Sequence, residues 1–213
     1  LIFYMNINEY QNYHETKAHT SAEFPYNTYL CSIPLDFPGV PLHWHDELEL
    51  VVIKRGQGFV SVDFDKRLVH SGDIIIIPPR CLHAIEQDDT FKMEYENIIF
   101  KPDLLSSGAN DLCMIQYIVP LLDGSLPIEY FLTPALGSFE ALSNCIRQID
   151  LVCADQTPGW QLAVKSSLFN FFFLLISERQ KKNSLHFLQF QIFGENENCF
   201  KIRRKSLYRK TND

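Results

Sequence analysis

The sequence has no Cys-x-x-Cys pair, no unbroken apolar stretch of membrane-spanning length and no basic leader at its start. Its six cysteines, Cys31, Cys81, Cys113, Cys145, Cys153 and Cys199, are scattered along the chain. Without paired spacing they are read as reduced, mostly buried small hydrophobes rather than a disulfide framework, which points to the cytoplasm. The longest apolar run, LFNFFFLLI at 168–176, is interrupted by Asn170. It falls far short of the roughly 20 residues a membrane span needs, so no membrane partner is expected. The opening LIFYMNINEY lacks the basic region and small-residue cleavage site of a secretory signal. Its leading Leu is read as the mark of a fragment or of an unusual start near Met5.

Positive charge is scarce over most of the chain. Residues 1–200 hold 13 basic residues against 25 acidic, whereas residues 201–213 hold six against one. The acidic body repels a phosphate backbone and is a poor candidate for direct nucleic-acid binding; a short basic tail is ordinarily just solvated. What the sequence does have is apolar material. With 46% hydrophobic and 13% aromatic residues in 213, it can bury one sizeable core, which excludes a disordered chain.

Residues 1–24 are polar and mixed and are read as an N-terminal arm. From residue 25 to 102 the text breaks into short apolar or alternating stretches (the first at residues 26–33, then ELELVVIK, FVSVDF, RLVH, IIIIPP and FKMEYENIIF) separated by turn signals such as RGQG and SGD. Many short strands at close spacing predict an all-β sandwich or barrel. Residues 103–182 change character. After a Pro- and Gly-punctuated linker, Phe139, Leu142, Ile146, Ile149 and Cys153 recur at helical spacing, and a second helix is expected over 160–181 with Val164, Leu168, Phe171 and Leu175 on one stripe. A helix apolar nearly all round needs cover on more than one side. The hairpin is therefore expected to pack on the barrel and on a second copy of the chain. Residues 183–213 have no clean period and no helix-turn-helix pattern, and are read as a basic, loosely ordered tail.

The chemistry concentrates in HWHDELE, residues 43–49. His43 and His45 are two apart, so on a strand both imidazoles point to one face, and Glu49 shares their parity unless a turn at Asp46 and Glu47 intervenes. A second block, Gly72, Asp73, the isoleucine run, Pro78 and Pro79, leads to His83. If both blocks line one barrel, three imidazoles and a carboxylate converge at its mouth. Such a set suits Zn, Mn, Fe, Ni or Cu, and it equally suits hydrogen bonding to the hydroxyls of a small ligand. In FKMEYENIIF the apolar-rich parity of Met93, Tyr95, Asn97 and Ile99 turns inward, which makes Tyr95 and Asn97 candidate ligand contacts. Trp44, of opposite parity, is expected outside the pocket or at its rim. His70 and Arg80 are read as exposed loop residues, and His14, His19 and His186 receive no role.

The spacing His43-x-His45-x(3)-Glu49-x(6)-Gly56, followed by Gly72-x(5)-Pro78 and His83, resembles the two cupin motifs with every metal-ligand position occupied. Arg80 and Gln87 depart from the second motif, and the first motif's leading Gly is displaced to Gly39. FPYNTYL, PLHWHDELEL, RGQG, SGDIIIIPPRCLH, EYENIIFKPDLL and GWQLAVKSSLFNFFFLLI, in that order over residues 20–182, resemble the N-terminal half of AraC-type transcription regulators. That resemblance implies a mainly β fold with C-terminal α structure: a cupin-type (double-stranded β-helix, jelly-roll) barrel followed by an antiparallel helical hairpin. It implies a cytoplasmic homodimer that binds a small effector, a sugar or related metabolite, inside the barrel and is not an enzyme. DNA would be reached only through helix-turn-helix units that these residues do not contain. A metal-dependent cupin enzyme, a dioxygenase or isomerase, is the alternative, with His43, His45, Glu49 and His83 as ligands of one divalent transition metal.

Overall fold

The computed structural model describes residues 5–108 and 110–193. Helix α1 (Ile7–Gln11) opens the arm. It is fixed by a capping box: Asn6 accepts from the Glu9 backbone N–H while the Glu9 carboxylate accepts from the Asn6 N–H, satisfying donors that a helix start otherwise leaves bare. Seven strands follow: β1 (Tyr26–Ile33), β2 (Gly39–His43), β3 (Leu48–Val62), β4 (Asp65–His70), β5 (Ile74–Ile77), β6 (His83–Gln87) and β7 (Met93–Phe100). Then come α2 (Val119–Leu122), the short β8 (Phe131–Leu132), α3 (Phe139–Asp155) and α4 (Trp160–Phe193).

The strands form an antiparallel barrel of two sheets that share β3. One runs β1-β7-β3-β5-β8; in the other the far half of β3 pairs with β4 and β6, and β6 pairs with β2. RGQG, expected as a turn between two strands, lies inside the single 15-residue strand β3. The physical reason is Gly56. Its φ of +78° and the register shift between Ile53 and Arg55 opposite β7 bend the strand, and it passes from one sheet to the other instead of reversing.

Alternation along each strand builds two cores. In β5, Ile75 and Ile77 point into the barrel with Val51, Ile53, Val60, Ile85, Met93 and Tyr95. Ile74 and Ile76 point out, into a core shared with Ile98 and Phe100 of β7 and with the two long helices. Strands covered on both faces read as continuous apolar runs, which accounts for IIII. The helical hairpin is the outer cover. Leu142, Cys145, Ile146 and Ile149 of α3 and Val164, Leu168, Phe171, Phe172 and Leu175 of α4 are buried, each large side chain contributing about 1.5–3 kcal/mol relative to exposure. Phe139 and Cys153, at the ends of the expected seam, pack on this core partly buried. Residues 160–180 of α4 are long and apolar enough to cross a membrane; in this fold the buried stripe serves to cover the barrel.

A charged cluster pins the hairpin. Lys54 Nζ of β3 lies 2.5 Å from Glu96 Oε2 of β7 and 3.0 Å from Asp150 Oδ2 of α3, and the Thr28 hydroxyl donates to Glu96 Oε1 at 2.8 Å. Burial works against the Lys54 ammonium, yet the two carboxylates hold its pKa above the usual range. Two features escaped the sequence. β8, two residues long, pairs Phe131 with Ile75 and Leu132 with Ile74. Helix α4 runs on to Phe193, past the end expected near residue 181, so the stretch from 183 to 193 is helical rather than loosely ordered. The basic residues 201–213 lie outside the described residues.

A Cβ at Gly56 would sit 1.9 Å from the Lys92 carbonyl oxygen on a backbone already at positive φ. Gly56→Ala is expected to lower the unfolding free energy by more than about 1 kcal/mol, measured by urea denaturation; an unchanged midpoint would mean that β3 does not need this bend.

Candidate functional site

Two strands bring the first pair of histidines together. His43, the last residue of β2, is the register partner of His83, the first residue of β6, and their rings lie 4.0 Å apart. His45 stands just beyond β2, with its ring 5.7 Å from His43 and 4.9 Å from His83. A bend at Asp46 and Glu47 then turns the chain into β3, where Glu49 faces inward. Its Oε2 is 3.1 Å from His45 Nε2 and 3.3 Å from His83 Nε2. The three histidines offer ring nitrogens that all lie within 4.8 Å of one another. His45, His83 and Glu49 are buried.

Backbone carbonyls fix two of the tautomers. His43 Nδ1 is 2.9 Å from the Pro41 carbonyl and His83 Nδ1 is 2.8 Å from the Cys81 carbonyl. A carbonyl only accepts, so each Nδ1 carries a proton, and in the neutral imidazole each Nε2 turns a lone pair toward the site. His83 Nε2 has no partner in hydrogen-bond geometry, nor has His45 Nδ1, whose neighbour Glu47 Oε2 is 3.6 Å away. Lone pairs and a carboxylate facing one another in a buried space call for a cation, either a proton or a metal ion.

The charges respond accordingly. Burial alone would raise the Glu49 carboxyl, but the hydrogen bond from His45 and the charge of the two facing histidines hold it well below the usual carboxylate range. Burial pulls His45 down, yet its hydrogen bond to Glu49 raises it overall. His43 goes the other way. Burial, reinforced by the adjacent His83, lowers it to about 4, so its imidazole is neutral near pH 7 and free to act as a ligand.

The arm closes over this mouth. Trp44, between the two histidines, points away from them as its parity predicts and is clamped by the arm. Its indole stacks between Tyr10 and His14 with centroids at 4.8 and 4.2 Å, and its Nε1 donates to the Tyr10 carbonyl at 2.8 Å. Backbone bonds from Trp44 N to Tyr13 O and from Glu15 N to Trp44 O, both 2.9 Å, complete the seat. Glu15 and His19 consequently reach the site. Glu15 Oε2 lies 2.9 Å from His19 Nε2 and 3.4 Å from His43 Nε2, and the His19 ring is 5.6 Å from that of His45.

Tyr95 and Asn97 sit on the inward face of β7, in register with Ile53 and Val51 of β3, two and one layers deeper than Glu49 respectively. Tyr95 is fully buried among the aliphatic residues of the barrel interior and opposite Cys31 of β1. Asn97 keeps a buried Oδ1 without a hydrogen-bond partner. Beside it on β1 are Asn27 and Tyr29, whose Nδ2 and hydroxyl donate to the His19 carbonyl at 2.9 and 3.2 Å. Strand alternation puts Asn27 and Tyr29 on the Cys31 face, a signal that could have found them. Glu15 and His19 lie in a segment without period, and no local pattern marks them. A groove of about 260 Å³ between arm and barrel is lined by His14, Glu15, Thr16, Lys17, Asp46, Glu47 and Lys101. Arg80 is exposed and paired with Asp46 at 2.8 Å, and His70 is exposed, both as expected.

A two-sheet antiparallel barrel with His43, His45, Glu49 and His83 at its mouth and a helical hairpin on its flank is a cupin-type barrel of the sensor kind. The chain belongs to the AraC-like ligand binding domain family, which it matches over residues 8–172. It is 32% identical over 159 residues to the uncharacterised HTH-type transcriptional regulator YdeC of Bacillus subtilis, covering 74% of this chain and 54% of that protein. To YbfI of the same organism, also an uncharacterised HTH-type transcriptional regulator, it is 26% identical over 72 residues, 34% of this chain and 26% of that protein. The chain thus spans about half the length of the first of these relatives. Among solved structures, a cupin protein from Bacteroides fragilis is similar at 24% identity and TM-score 0.35, over 41% of this chain and 80% of that one. A Cupin 2 conserved barrel domain protein from Salinispora arenicola is similar at 22% identity and TM-score 0.33, over 37% and 65%.

Because Glu49 is the buried partner of two histidines while Glu47 stands farther off, the two carboxylates separate by mutation. In the presence of chelator, Glu49→Gln is expected to cost about 2 kcal/mol of stability and Glu47→Gln much less, read as the difference in thermal unfolding. Equal losses would contradict the pairing described above.

Proposed function

We propose that this chain is the small-molecule sensing and dimerisation part of an AraC-type transcription regulator, with the effector bound at the barrel mouth beneath the arm. Beyond membership of the family, one observation supports the reading most: His45 Nδ1, His83 Nε2, His19 Nδ1 and Asn97 Oδ1 are all buried without a hydrogen-bond partner and all belong to this one region. Each such atom costs stability until something binds it. A small hydroxyl-rich metabolite, a sugar or a relative of one, supplies donors and acceptors in that density, and the polar groove lined by Lys17, Lys101, Asp46 and Glu47 offers an entrance of matching chemistry. Tyr95, at the floor, gives an apolar ring a face to pack on.

The donor set also fits a divalent transition metal of the Zn, Mn, Fe, Ni or Cu group. His43, His45, His83 and Glu49 would hold it, and when bound it would supply a Lewis-acidic anchor for an effector oxygen. The protein's own part is to keep the imidazole tautomers fixed through the Pro41 and Cys81 carbonyls. We assign the site to binding rather than turnover, as in the family to which the chain belongs, and place the protein in the cytoplasm. DNA contact would fall to helix-turn-helix units of the kind that name its relatives.

The reading is tested by thermal melts of the chain against a panel of sugars and related metabolites. A true effector at one hundred times its Kd is expected to stabilise the fold by about 2.7 kcal/mol, and Asn97→Ala is expected to remove most of that gain. A panel without a single shift would count against effector sensing.

Dimerisation has its own support. Leu151 of α3 and Leu162, Phe169 and Phe173 of α4 are large apolar side chains left exposed on the hairpin, Phe173 at 63%. Exposed apolar clusters of this kind mark contact surfaces. Phe173→Glu is expected to turn a dimer into a monomer in analytical ultracentrifugation with the melting temperature of the monomer fold retained. A wild-type chain that sediments as a monomer at high concentration would refute the hairpin interface.

A further inference from the structure

Besides Glu47, which stands 3.6 Å from His45 Nδ1, two carboxylates face the histidines from different segments. Glu49 approaches from the barrel side, with Oε2 at 3.1 Å from His45 Nε2 and 3.3 Å from His83 Nε2 and a nearly fully buried side chain. Glu15 approaches from the opposite, solvent side, with Oε2 at 3.4 Å from His43 Nε2 and a side chain 29% exposed. Glu15 is not a stray surface acid. Its backbone is bonded to Trp44 between the two histidines. Its carboxylate is oriented by His19 Nε2 at 2.9 Å, and His19 is held in turn by Asn27 and Tyr29 through its carbonyl. The His43 Nε2 that it faces bears the lone pair, because Nδ1 is committed to the Pro41 carbonyl. Two ligand atoms about 2.1 Å from one tetrahedral ion stand roughly 3.4 Å apart, and His43 Nε2 and Glu15 Oε2 have that separation.

We propose that Glu15 is a metal ligand supplied by the N-terminal arm: a divalent transition ion held by His43, His45 and His83 takes the Glu15 carboxylate on its solvent side, opposite Glu49, with His19 as the positioning residue. The proposal deepens the metal reading given above and rests on it. Three nitrogens with one or two hard oxygens remain within the chemistry of Zn, Mn, Fe, Co and Ni. The consequence is mechanical. Every other ligand sits on the barrel, so coordination by Glu15 makes the ion a clasp between arm and barrel, and the arm is held more tightly with metal than without. Because Glu15 is the solvent-side ligand, it is also the one an incoming oxygen would displace, whereas Glu49 is shielded beneath the histidines.

The arm carries its own reporter, since Lys17, two residues after Glu15, is exposed and offers a tryptic site. The 213-residue chain, freed of metal with chelator, is titrated with Co(II) while visible absorption is followed, and tryptic cleavage after Lys17 is timed with and without the ion. In the wild type, Co(II) is expected to bind with the absorption of a nitrogen-rich site and to slow cleavage at Lys17 several-fold. Glu15→Gln is expected to weaken Co(II) binding about tenfold, to alter the absorption bands and to abolish the metal-dependent protection, while its metal-free melt stays near that of the wild type. His19→Gln, which keeps the carboxylate but removes its orienting imidazole, is expected to fall between the two and covers the case of a misfolded Glu15→Gln. Wild-type affinity and spectrum in both variants would overturn Glu15 as a ligand and leave the histidine site standing. No Co(II) binding by the wild type would overturn the metal reading and this proposal together, and would leave effector binding to be judged by its own thermal titration.

Discussion

Glu49 is an ionised carboxylate set into the end of an apolar barrel, and it is tolerable there only because His45 and His83 face it. That one arrangement constrains much of the molecule. The histidines come from the end of β2 and the start of β6, the carboxylate from β3, so the site exists only where the two sheets meet. β3 belongs to both sheets, and the bend at Gly56 that lets it cross between them is what brings β6 beside β3 and β2 beside β6. A buried charge also restricts its surroundings. It must be paired, and the pairing leaves His83 Nε2 and His45 Nδ1 buried without a hydrogen-bond partner, which is the property a binding site needs.

The barrel wall has two sides with different duties. The inward side, from Glu49 down through Asn97 and Tyr95, runs from polar at the mouth to apolar at the floor. The outward side of the same strands carries Ile98, Phe100 and the buried Glu96, and it is covered by α3 and α4. Lys54 ties Glu96 to Asp150 of α3, so β3, the strand that holds Glu49, is also bonded to the hairpin. The strand that carries Glu49 is thus joined to the helices by packed and charged contacts rather than by loops alone.

Much of this was legible. The alternation of FKMEYENIIF placed Tyr95 and Asn97 inward because a strand has a period of two, and the spacing of His43, His45, Glu49 and His83 anticipated that these residues come together at one candidate site. The two helices were legible from their apolar spacing. What was not legible had physical reasons. RGQG reads as a turn because two glycines allow one, and only the pairing of β3 with β7, β4 and β6 decides that the strand bends and continues. β8 is too short to carry a period. Glu15 and His19 lie in a polar stretch whose conformation is set by contacts with Trp44, Asn27 and Tyr29 far along the chain, so nothing local marks them.

Trp44 shows how the remaining pieces fit together. In a strand-like segment the residue between two same-face histidines must point the opposite way, and a large aromatic there, left alone, would expose its ring to water. The arm covers it with Tyr10 and His14 and hydrogen-bonds its indole. The residue that is excluded from the site by parity thus becomes the anchor for a segment that re-enters the site from above through Glu15 and His19. Seating of the arm and placement of His43 and His45 depend on the same three residues of backbone. Anything that shifts those histidines, whether a bound ion or a ligand, acts on the arm's seat at the same time.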